Sequence, residues 1–217
     1  DQADPNMLYT SVLGVQKDLN IDDNTAANTN ANGLTSFDSD GFGVCSGAGG
    51  YNDNTEKFVA YQWLGGGAAS SNTSGTITSS VSVNTTAGIS VGTYTGTGSA
   101  ATIGHGLGAV PHWIMTKNTA AAGLWVLYHQ HLTSAPETDY LQPHLTNATA
   151  DYPLWNDTAP TSTVFSIGTD GSINTNTQLY SFWAFTEIEG FSKFGVFEGN
   201  ANVDGPFIAC GFKPAWL

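Results

Sequence analysis

The stretch "LYSFWAFTEI", residues 179–188, decides the fold. Rich in aromatic residues and free of glycine and proline, it reads as a strand. Alternate side chains on a strand face opposite ways, so Phe182 and Ala184 point to one side while Trp183 and Phe185 point to the other. Both faces are apolar, which predicts a central strand covered on both sides. Working outward, similar short runs bounded by turn formers predict strands at "KFVAYQWL" (57–64), "GISVGTYTG" (88–96), "HWIMTK" (112–117), "LWVLYHQ" (124–130) and "TVFSIG" (163–168). Apolar spacing of the i, i+3, i+4, i+7 kind is nearly absent, so helices are not expected. The predicted fold class is all-β: an antiparallel, jelly-roll-like β-sandwich, with a barrel as the alternative. Residues 65–87, "GGGAASSNTSGTITSSVSVNTTA", are low in complexity and predict an exposed loop or linker with at most a weak strand.

Composition narrows the function classes. The 217 residues are 40% hydrophobic but only 11% charged, so Asn, Thr, Ser and Gly carry the solubility. With 5 basic against 18 acidic residues the net charge is -13, which argues against nucleic-acid or anionic-membrane partners. No apolar run is long enough to span a bilayer as a helix, so membrane insertion is not expected. Cys45 and Cys210 lie far apart without a CxxC pair; free thiols in packed strands are the expectation, with a long-range disulfide as the alternative. The chain does not begin with Met, which suggests processing or a place within something longer.

The sequence also echoes itself. "GTYTGTGSAATIGHGLGAVPHWI" (92–114) and "GVFEGNANVDGPFIACGFKPAWL" (195–217) align without a gap, setting Tyr94 on Phe197, Gly96 on Gly199, Gly108 on Gly211, Pro111 on Pro214, Trp113 on Trp216 and Ile114 on Leu217. A looser match, with a drifting offset, joins the start to the middle. It sets "MLYT" (7–10) on "VLYH" (126–129), "KDLNI" (17–21) on "DYLQP" (139–143), Phe42 on Phe165, Phe58 on Tyr180 and Trp63 on Phe185. The chain therefore reads as repeated units of about 100 residues cut out of phase. Residues 1–64 are the second half of a unit, 65–87 the linker, 88–190 a complete unit and 191–217 the first half of a further one. Either neighbouring half-units pair to complete each sandwich, or the chain is a segment of a longer tandem protein.

The strings "GLTSFDSDGF" (33–42), "FVAYQWLGGG" (58–67), 71–111, "WNDTAPTSTVFSIGT" (155–169), "AFTEIEGFSKFGVFEGN" (184–200) and "DGPFIACGFKPAWL" (204–217) carry a family likeness. The chain resembles a domain that recurs, often in tandem, in predicted tail-fibre and other structural proteins of marine bacteriophages. The resemblance implies a virion protein of the fibre, appendage or decoration kind, without a catalytic residue to carry over. Expected partners are other copies of itself, other virion proteins and host-surface glycan. Ending at "PAWL", where the family pattern continues into a basic segment, points to a portion of a longer protein.

Constellations that could carry chemistry are few. Glu187 and Glu189 share a strand face, as a glycosidase pair would, but the matching positions near Gly65 and Gly67 lack carboxylates, and a polar strand end explains them. His129 and His131 have an H-x-H spacing without an evident third ligand, so no metal is expected. "DSDG" (38–41) lacks the remaining ligands of a calcium loop and reads as an Asx-type turn. The glycines of 96–108 have no phosphate-loop lysine, and no cofactor is expected. Trp113 and Trp216 recur in the echo, and Trp63 is exchanged for Phe185, as core packing predicts. Trp125 and Trp155 have no aromatic counterpart; with Tyr128 and Tyr152 they are the candidate sugar-stacking residues, the alternative being that they fill core or subunit-interface space.

Overall fold

A computed structural model describes residues 6–45, 51–54 and 56–215. The N-terminal part carries β1 (Met7–Leu8), β2 (Lys17–Asn20), β3 (Asn28–Thr29), β4 (Leu34–Phe37) and β5 (Phe42–Val44). There follow β6 (Ser70–Asn72), β7 (Ser79–Asn84), β8 (Ile89–Thr95), β9 (Ala101–Gly104), β10 (Trp113–Asn118) and β11 (Trp125–His129). The last group is β12 (Asp139–Tyr140), β13 (Ala150–Asp151), β14 (Val164–Ile167) and β15 (Leu179–Phe185), with a 3-10 turn (Pro136–Thr138) before β12 and one turn of α-helix, α1 (Gly171–Asn174), before β15. The chain is all-β, an antiparallel sandwich, as its alternating apolar runs predict.

A six-stranded sheet ordered β11-β10-β15-β8-β7-β6 forms its centre, antiparallel at every step. β15 lies inside it, paired with β10 on one side and β8 on the other. Phe182, Tyr180 and Ala184 face one way and are buried with Tyr94, Ile114 and Val126 against Ile103 of β9 and Phe165 and Ile167 of β14. Trp183 faces the other way and packs with Trp125 against Leu19 of β2, with Leu8, Trp113, Met115 and Phe185 around it. The N-terminal strands thus cover the face that the β9–β14 pair leaves open, so the two-sided apolarity of residues 179–185 is matched by two cores. Apolar area removed from water at roughly 25 cal/mol per Å² drives both layers onto the sheet.

Local choices fix the register. Gly92 lies opposite Phe182, and a Cβ there would come within 2.5 Å of the Phe182 ring, so that ring needs a glycine beneath it. Tyr94 and Tyr180 are also directly opposite and stack with centroids 5.2 Å apart. Their hydroxyls donate to the carbonyls of Ile173 and Gly171, which anchors α1 over the sheet. Asp170 caps that turn by accepting from the Ser172 amide at 2.7 Å.

Three sequence expectations change. Residues 57–64 form no strand, and Val59 is 79% exposed. Residues 65–87, expected as a loop or linker, contain β6 and β7, which extend the central sheet. Their serines hid the strand signal, because Ser79 Oγ donates to the Gly104 carbonyl and Ser82 Oγ to the Gly67 carbonyl. Hydroxyls bonded in this way can occupy buried sheet positions that ordinarily call for Val or Ile. The echo near the C-terminus does not build a second sheet either. Residues 193–215 carry no strand and Phe197 is 67% exposed, whereas its counterpart Tyr94 is buried in β8. Trp216 and Leu217, the counterparts of Trp113 and Ile114, lie outside the described residues.

Truncating the buried ring in Phe182→Ala should lower the unfolding free energy by about 3–5 kcal/mol in urea denaturation. Phe207→Ala, at a side chain 92% exposed, should change it by less than about 0.5 kcal/mol.

Candidate functional site

The four aromatic candidates do not form one platform. Trp155 is 2% exposed and meets Tyr128 edge-on, centroids 5.9 Å apart, inside the larger core. Trp125, 1% exposed, belongs to the core on the opposite face of the sheet. Tyr152 alone of the four is open, at 48%. Three of them therefore fill core space, and a sugar ring could reach only Tyr152 without rearrangement.

Around Trp125 lies an arrangement that sequence reasoning missed. Lys117 of β10 sits directly across from Trp125 and is fully buried, with Nζ 5.9 Å from the indole centroid. Its ammonium donates to the carbonyls of Asn24, Asn118 and Gly123 at 3.2, 3.1 and 3.0 Å. The Trp125 indole N–H donates to the carbonyls of Asn20 and Asp23 at 3.1 and 3.0 Å. Two backbone bonds, Ala27 amide to Thr119 carbonyl and Gly123 amide to Asn24 carbonyl, close the same contact. One cation and one indole thereby hold residues 20–27 to the central sheet. Burial lowers the lysine from 10.5 to about 8, against a smaller opposing pull from Asp23. The available signal was a lone lysine in an alternating apolar strand of a chain with 5 basic residues.

Four of the five histidines occupy two settings. His105 is buried; Leu107 donates its amide to Nδ1 at 3.2 Å, and Nε2 lies 3.1 Å from the Thr161 carbonyl. That pattern requires a neutral ring protonated on Nε2, and burial lowers its pKa accordingly, the Thr161 bond opposing. At the end of β10, β11 and β15 stand His112, His129 and His131 with Glu187. The rings of His129 and His131 are 6.0 Å apart, and His112 Nε2 lies 3.9 Å from Glu187. Glu187 is already engaged, accepting from Lys193 Nζ at 2.8 Å and the Phe194 amide at 2.9 Å. Burial alone would raise its carboxyl, but those bonds, with the charges of His112 and Lys193, outweigh burial and hold it below the usual range. A carboxyl held ionised in this way is unsuited to act as a general acid, and Glu189 is exposed beyond the strand end. Among the described residues, no group of His, Cys, Asp and Glu converges as metal ligands. Neither Cys45 nor Cys210 is in a disulfide.

Two hollows open on the surface. One of about 260 Å³ lies over Ser80, Thr93 and Leu179, and one of about 480 Å³ lies between Met7, Asp18 and Asn28. Neither collects the four aromatic candidates or the histidines. Residues 1–217 match a family described as "Domain of unknown function (DUF7483)". The chain belongs to that family. No curated protein and no solved structure matches it. In this DUF7483 chain the Lys117 clamp joins the N-terminal layer to the central sheet.

The clamp has a pH signature. The folded state gives up the Lys117 proton at about pH 8, while the unfolded state holds it to about 10.5. The unfolded state therefore binds more protons between these values, and stability must rise with pH there. Urea unfolding should show wild-type stability increasing by roughly 1–2 kcal/mol between about pH 8 and pH 9.5, before tyrosines ionise. Lys117→Met should abolish that rise and, by taking the ammonium from the carbonyls of Asn118 and Gly123 and leaving Asn24 only the Gly123 amide, be about 1–3 kcal/mol less stable at neutral pH.

Proposed function

We propose that the chain is a non-enzymatic structural and adhesive module of a bacteriophage virion, serving in a tail fibre, appendage or decoration. It acts by assembly and surface contact. The observation that carries this reading is where the apolar surface lies. Val59, Val196, Phe197 and Phe207 stand exposed on extended segments outside the sandwich, while the interior cation and the buried histidine are consumed by packing. Exposed apolar segments of this kind mark contacts with other macromolecules. The sequence resemblance to predicted tail-fibre and structural proteins of marine phages supports the same reading, and so does the low content of charged residues.

The partners on this reading are further copies of the chain, other virion proteins and host-surface glycan. A glycan contact would use open side chains such as Tyr152, and each contact would be weak. Repetition along a fibre would multiply it through avidity.

Mass spectrometry and immunogold labelling of particles purified from a phage that encodes the chain should place it on the virion. Finding it in infected-cell lysate but absent from purified particles would contradict the proposal.

A further inference from the structure

We propose that His112, His129 and His131, gathered around Glu187, form an acid-sensitive latch: neutral, it holds the turn 187–194 against the end of the central sheet, and protonated, it releases that turn. β11, β10 and β15 are neighbours in that order, so the ends of the three strands bring these residues together. The His112 backbone is fixed on both sides. Its amide donates to the Phe185 carbonyl at 2.7 Å, and its carbonyl accepts from the Gln130 amide at 2.9 Å. Its ring then accepts from the Glu187 amide through Nδ1 at 3.2 Å. His129 Nδ1 accepts from the His131 amide at 3.1 Å. Gln130 Nε2, which can only donate, lies 2.9 Å from His131 Nε2. Each ring thus accepts a hydrogen bond at a nitrogen that carries a proton in the imidazolium form. Thr186 Oγ1, 3.2 Å from His112 Nδ1, offers a protonated ring an acceptor, but the Glu187 amide would then face an N–H.

Charge acts in the same direction. The carboxylate facing His112 and His129 is Glu187. Its Oε2 lies 3.9 Å from His112 Nε2 and already takes Lys193 Nζ at 2.8 Å, while its Oε1 takes the Phe194 amide at 2.9 Å. Burial lowers the pKa of His112; Lys193 and His131 add to that, and Glu187 opposes it. His129 is lowered by burial, then by His131 and His112, again with Glu187 opposing. Between those lowered values and about 6.5, an opened end binds more protons than the closed one, so falling pH favours opening. The element that yields is the turn. β10 and β15 are laddered on both sides, and β11 is laddered along its whole length to β10. The turn is held by Glu187, by the Ile188–Ser192 bridge and by Phe194, whose ring is 5.8 Å from that of Phe185. A segment tied by so few groups opens locally well before the sheet does. Release takes Phe194 off Phe185 and opens an apolar surface beside Trp113, whose ring meets Phe185 at 5.2 Å.

Amide exchange and histidine NMR on the full-length chain test the latch. Protection of the Glu187, Ser192 and Phe194 amides, corrected for intrinsic rates, should fall about three- to tenfold between about pH 7.5 and pH 5.5, while residues 114–117 and 181–184 keep theirs. His112→Asn combined with His129→Asn should hold the turn's protection constant, because an asparagine oxygen accepts near the position of Nδ1 and does not titrate. In wild type, ring nitrogen shifts should show unprotonated Nδ1 on His112 and His129 at about pH 7.5. Protonation of those rings should share its midpoint with the amide changes at 187 and 194, a readout that stands even if the double variant misfolds. Turn protection that does not change with pH would overturn the inference. So would an equal loss in a double variant whose sheet stays protected, or ring and amide midpoints that differ. A loss that spreads equally through 114–117 and 181–184 marks global unfolding and would overturn it too.

Discussion

The constraint on which the rest depends is that β15 has two apolar faces. A strand carrying Phe182 and Ala184 on one side and Trp183 and Phe185 on the other cannot end a sandwich; it must lie between two layers. The β9–β14 pair supplies one layer and the N-terminal strands the other. The N-terminal strands are short, two to four residues each, and a layer so small buries little area of its own. Lys117 and Trp125 compensate by reaching through the sheet face to carbonyls of residues 20–24. A buried ammonium is a costly way to join layers unless all its donors are used, and here three carbonyls take them.

That division of labour bears on function. The sandwich closes around its own aromatic residues, so Trp125, Trp155 and Tyr128 serve cohesion. The apolar side chains left most exposed, among them Val196, Phe197 and Phe207, lie outside it.

The sequence made much of the sandwich legible because these strands are short, rich in apolar residues and cleanly bounded: residues 88–96, 112–117, 124–130 and 179–188 contain strands of the central sheet, and 163–168 contains β14 of the layer over it. It concealed β7 because "SSVSVN" reads as low-complexity polar chain, and only the layer above shows that Ser79 has a carbonyl to bond. It overstated 57–64, whose apolar pattern is that of a strand although no strand forms there. Pattern reports which face a residue would bury, and pairing depends on what lies beside it. The aromatic candidates failed as a shared site for a related reason: Trp125 and Trp155 are equally conspicuous in sequence, yet they belong to opposite faces of one sheet. Lys117 went unnoticed because a single lysine has no motif; its role comes from carbonyls remote in sequence.

The two apolar faces of β15 hold two separate layers on one sheet. Amide hydrogen exchange tests this most directly. Residues 179–185 should exchange among the slowest of the chain, and Trp183→Ala should speed exchange at 17–20 while 101–104 and 164–167 stay protected. Exchange at 17–20 that the substitution leaves unchanged would contradict it.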